Sequence, residues 1–67
     1  MKTKIMSHVM RRTWREIAEK VTEYKARLAV QADYLAGSRE EIHLRHAAAL
    51  LELAANALLK AAGETGE

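Results

Sequence analysis

Cysteine, proline and phenylalanine are all missing from this 67-residue chain, which holds only three glycines, one tryptophan and two tyrosines. Without cysteine no disulfide can staple the fold, and the thiol-free composition fits a reducing compartment. Without proline nothing forces a break inside a helix. No stretch approaches the roughly 18 uninterrupted apolar residues of a membrane span, because Glu52, Asn56 and Lys60 cut the second half. Lys2 and Lys4 precede an apolar stretch that Ser7, His8 and Arg11 interrupt, so the start does not read as a signal peptide. The expected location is cytoplasmic.

Alanine fills much of the space that these absences leave. Thirteen residues are alanine, and eight of them fall within residues 47–62 among Leu50, Leu51, Leu53, Leu58 and Leu59. The remaining residues are dominated by Leu, Glu, Lys and Arg, all strong helix formers, and the expected class is all-α. A chain of this size buries only about 60% of its unfolded surface, so one small core needs reinforcement. With disulfides excluded, association with a second copy is the remaining device. The net charge of +2 conceals an asymmetry: residues 1–36 carry eight basic and four acidic side chains, and residues 37–67 three and five. Residues 1–15 hold five basic side chains and no acid.

Periodicity divides the chain into two helices of one domain, about 4–36 and about 39–62, joined by a turn at 37–38. Met10, Trp14, Ile17, Val21, Tyr24, Leu28 and Leu35 recur at alternating spacings of four and three, a heptad seam with Gln31 as its one polar member. A lone polar residue in such a seam more often fixes register than binds a ligand. Gly37 suits the left-handed position after a helix end. Ser38 followed by Glu41 has the spacing of a capping box. In the second helix Leu44, Ala48, Leu51, Ala55, Leu58 and Ala62 alternate large and small along one seam, and a Glu41–Arg45 pair is expected on the polar stripe. Gly63 ends this helix, leaving residues 63–67 as a polar tail. So short a link makes the helices antiparallel neighbours. A helix apolar around more than half its circumference is not satisfied by one neighbour. The expected architecture is therefore an antiparallel hairpin that dimerises into a four-helix bundle. Its core and dimer contacts are Trp14, Ile17, Val21, Tyr24, Leu28, Leu44, Leu51 and Leu58.

Chemistry-bearing patterns are sparse. Lys4, Arg11 and Arg15 share a helix face opposite the Trp14 seam, with Arg12 beside them, and such a stripe can meet phosphates. Glu16, Glu19 and Glu23 follow on the same side, so a solvated face accounts for it more simply. His43 and His46 stand three residues apart with Glu40 one turn before, but two ligands make no zinc site and no HExxH pattern accompanies them. No metal or other cofactor is expected. Trp14 and Tyr24 belong to the seam; Tyr34, off it and near the turn, is the better exposed contact. Ser7, Thr13 and Ser38 have no base at motif spacing, and Gly37, Gly63 and Gly66 form no phosphate loop, so no enzyme is expected.

The run Val9-Met10-Arg11-Arg12-Thr13-Trp14-Arg15-Glu16-Ile17-Ala18, with Val21-Thr22-Glu23-Tyr24 and Leu28 after it, resembles the opening of small proteins from Gram-positive phages and integrated elements. Those proteins show V-M-x-x-A-W-x-I-A and then V-x-E-Y; this chain has Thr13 for the alanine and one extra residue between Trp14 and Ile17. The resemblance covers residues 9–35 and implies a mobile-element origin, with no activity attached. In architecture alone the expected hairpin is similar to plasmid repressor-of-primer proteins, whose dimers bind paired RNA loops. Together these readings give the functional expectation: a homodimeric phage-type interaction protein, cytoplasmic in its host cell, that docks on a host protein. One such role is inhibitor of a defence nuclease, for example a CRISPR effector. The alternative is a nucleic-acid-binding dimer using Lys4, Arg11, Arg12 and Arg15.

Overall fold

A computed structural model describes residues 3–63, with side chains from His8 onward. Two α-helices account for almost all of it: α1 spans Thr3–Tyr34 and α2 spans Arg39–Ala61. They pack against each other as an antiparallel hairpin about 53 Å long. Residues 64–67, expected as most of the polar tail, lie outside the described residues.

The turn is built from the residues that the sequence singles out. Gly37 adopts φ +90°, in the left-handed region that a Cβ disfavours. The Leu35 N–H donates to the Gln31 carbonyl at 3.0 Å, and the Ser38 N–H donates to the Leu35 carbonyl at 3.0 Å, which closes the end of α1. Ser38 caps α2 by accepting from the Glu41 N–H at 3.3 Å. The Glu41 carboxylate reaches back one residue further than a standard capping box, accepting from the Gly37 N–H at 2.9 Å. It does so because the Ser38 amide is already committed to Leu35. At the other end Gly63, with φ +80°, follows the Ala62 cap, whose N–H donates to the Leu58 carbonyl at 2.9 Å.

Between the helices lies a seam of small residues. Among the described residues the buried apolar ones are Ala18, Ala32, Ala48, Ala55 and Ala62. Trp14, Val21, Leu28, Leu44, Leu51 and Leu58 are half-buried around them. On α2 this is the seam expected from its large–small alternation. On α1 half of the expected seam is displaced: Trp14, Val21 and Leu28 face α2, but Ala18, Lys25 and Ala32 take the intervening positions instead of Ile17, Tyr24 and Gln31. The physical reason is the alanine face of α2. It lets the backbones approach closely, and at close approach the facing positions must be small too. Lys25 is admitted because its aliphatic stem covers apolar surface while Nζ reaches Glu52 Oε1 at 3.5 Å.

Candidate interaction face

The seam divides the hairpin into two unlike flanks. One is marked by polar links between the helices. Arg45 Nη2 meets Asp33 Oδ1 at 2.8 Å, Arg45 Nε meets Glu41 Oε2 at 2.8 Å, and Lys25 bridges to Glu52. The Gly37 N–H, and after it Arg45, hold the Glu41 carboxyl below its ordinary pKa. Asp33 and Glu41 together raise that of Arg45. These groups are exposed, so each pair orients the turn more than it stabilises the fold. The grooves on this flank are shallow and open. One is lined by Ala18, Glu19, Thr22 and Leu59, another by Lys25, Ala29, Arg45, Ala48, Ala49 and Glu52.

The opposite flank is apolar. On a 3.6-residue helix Met10, Ile17 and Tyr24 lie one step round from the seam, away from Lys25 and Asp33. On α2 Ala47, Leu50, Ala54, Ala57 and Ala61 occupy the matching side, away from Arg45 and Glu52. Because the helices are antiparallel, both sets look out of the same side of the hairpin. Leu35 in the turn continues the α1 set. Met10, Ile17, Tyr24, Leu35 and Leu50 are between 40% and 54% exposed. The heptad seam of α1 is thus one wide apolar face serving two directions, with Trp14, Val21 and Leu28 toward α2 and Met10, Ile17 and Tyr24 toward this open flank. The Arg27 guanidinium lies over the Tyr24 ring, 5.7 Å from its centroid, a cation–π contact at the edge of this flank.

The remaining sequence candidates separate. Lys4 lies in the first turns of α1, and its side chain falls outside the described residues. Arg11 and Arg12 are exposed, whereas Arg15 is half-buried and already engaged. Of the four expected cations Lys4, Arg11, Arg12 and Arg15, the described side chains thus place Arg11 and Arg12 on the surface and Arg15 half-buried. Tyr34 is 90% exposed. Gln31 is exposed on the apolar flank rather than seated against α2, where Ala32 takes the buried place. His43 and His46 are both exposed, and among the described residues no three metal-ligating side chains cluster. No helix among them is long and apolar enough to cross a membrane. The apolar flank as a unit was missed in sequence. Its signal was present in the surplus of apolar positions on α1, more than one antiparallel neighbour can cover. Comparison with protein-family models, with curated proteins and with solved structures finds no match.

Proposed function

We propose that this protein acts by binding rather than by catalysis, as a homodimeric interaction module whose apolar flanks meet in a four-helix bundle and whose outer surfaces dock on a protein partner. The observation that carries the reading is the composition of the hairpin's interior: among the described residues every buried apolar residue is an alanine, while ten large apolar side chains are exposed. A single helix pair with so little large-side-chain burial is marginal, and a second copy supplies the missing core. The area agrees. The accessible surface of 5419 Å² exceeds the roughly 4,200 Å² expected of a compact 7.5 kDa monomer.

The outward surface of such a dimer mixes both signs, with Glu41, Arg45, Asp33, Lys25 and Glu52 on its charged flank and Glu19 after Arg11 and Arg12. That mixture suits a polar protein surface better than a phosphate backbone, which calls for an uninterrupted basic track. A defence nuclease as the partner rests on the resemblance of residues 9–35 alone.

Sedimentation equilibrium tests the proposal. The native chain is expected at about 15 kDa, twice the 7.5 kDa chain mass. The double substitution Ile17→Glu, Tyr24→Glu is expected to return it to the monomer mass. A native chain that sediments as a monomer at micromolar concentration overturns the reading. Incubating the dimer with duplex RNA and DNA at low salt decides against the nucleic-acid reading if neither binds.

A further inference from the structure

We propose that the second copy covers the apolar flank in one specific register: α1 lies antiparallel on the partner's α1 about a two-fold axis between Val21 and Thr22, α2 lies on the partner's α2, and the two turns point to opposite ends. The inference rests on the homodimer proposed above and specifies how it is built.

The first support is charge. Along the rim of the apolar flank α1 carries Glu16, Lys20, Glu23 and Arg27. This series reverses sign about its own midpoint. Laid antiparallel on itself there, Glu16 meets the partner's Arg27 and Lys20 meets the partner's Glu23, and symmetry makes each pair twice. Among the described residues, Glu16, Lys20 and Glu23 take no part in the ion pairs of the hairpin itself. The competing bundle, with turns at the same end, lays α1 on the partner's α2 in the register of the hairpin. The Lys25–Glu52 bridge fixes that register. There Lys20, Glu23 and Arg27 would come opposite Ala57, Ala54 and Leu50, and only Glu16, level with Ala61 and next to Lys60, would stand near an opposite charge.

The second support is helix length. α1 has 32 residues and α2 has 23. In the hairpin register Ala61 stands level with Glu16, so the first three turns of α1 run past the end of α2. In the same-end bundle they would also run past the partner's α2. In the proposed register they lie along the partner's turn, with Val9 beside the partner's Tyr34 and Met10 close to the partner's Leu35. These four residues are exposed in the hairpin, and one contact covers them all. Ile17 comes beside the partner's Tyr24, and Ala54 opposite the partner's Ala57 lets the two α2 helices approach closely.

A spin-label distance decides between the two bundles. The chain has no cysteine, so Glu40→Cys gives one labelling site per copy, at the exposed turn end of α2. The proposed register places the two labels about 45 Å apart, from 1.5 Å of rise per residue on either side of the axis. A dimer with the labels under about 25 Å apart overturns the register and leaves the homodimer standing. A labelled chain that sediments as a monomer, like the native chain, overturns both. The charge pairing is read separately. Lys20→Glu is expected to weaken dimerisation about tenfold, from two lost rim pairs and two repulsions. Adding Glu23→Lys is expected to restore it. A single reversal without effect, or a double one without recovery, rules the pairing out.

Discussion

Replacing Ala55 with leucine tests whether small residues set the distance between the helices. Ala55 is 5% exposed at the middle of the α2 seam, in line with Ala48 and Ala62 and facing the side of α1 that carries Ala18 and Ala32. If alanine were there only for helix propensity, a leucine would add buried apolar surface and raise stability, since the two residues differ little as helix formers. The seam geometry predicts the reverse. Three extra carbons cannot enter without pushing the helices apart or forcing a strained rotamer, and overpacking of this kind costs about 1–3 kcal/mol. For a domain of this length each kcal/mol moves the midpoint by about 4–8 °C, so Tm should fall by roughly 5–20 °C. Thermal unfolding followed by helical circular dichroism, at one fixed protein concentration, reads this directly. Ala26→Leu is the control: Ala26 is exposed on α1, and its change should stay within about 0.5 kcal/mol. An Ala55→Leu protein that melts at or above the native temperature refutes close packing through alanine.

Three further predictions bear on the turn and on the surface. Ser38→Ala removes the side chain that accepts from the Glu41 N–H and should cost about 1 kcal/mol, measured by denaturant midpoint at unchanged slope. Glu41 has its pKa lowered in the folded state, so its contribution is present above the ordinary carboxylate pKa and is lost as pH falls through the lower folded value. Melting curves taken from neutral pH downward should accordingly show a shallower acid loss in Glu41→Gln, and an identical acid limb in the two proteins would contradict the turn hydrogen bond. Arg11→Ala and Arg12→Ala should leave self-association unchanged; any RNA or DNA affinity should vanish between about 50 and 200 mM salt, the mark of non-specific phosphate contact. Affinity that persists at the higher salt and falls on Arg12→Ala would instead favour nucleic-acid recognition.

What was legible in the sequence, and what was not, follows from the range of the interactions. The hairpin, its turn and the α2 seam rest on local signals: Gly37 needs a left-handed backbone, Ser38 and Glu41 satisfy amides within four residues, and Leu44 to Ala62 repeat with one phase. The α1 seam was half legible. Hydrophobic periodicity ranks Ile17 and Tyr24 above Ala18 and Lys25. Which of two adjacent stripes faces the neighbour is decided by how near that neighbour comes, and this is a property of α2. The Asp33–Arg45 pair was hidden for a related reason, since it spans two helices whose relative register no local pattern states. Arg15 looked like one cation of a solvated stripe, and its half-buried position depends on where α2 ends.

The most direct test of the central claim, that the apolar flank is closed by a second copy, is the dependence of melting temperature on protein concentration. A homodimer gains stability by mass action, so Tm is predicted to rise by several degrees over about a hundredfold increase in concentration, and to lose that rise in Ile17→Glu, Tyr24→Glu. A Tm that stays constant over the same range would show that the hairpin folds alone, and would contradict the account.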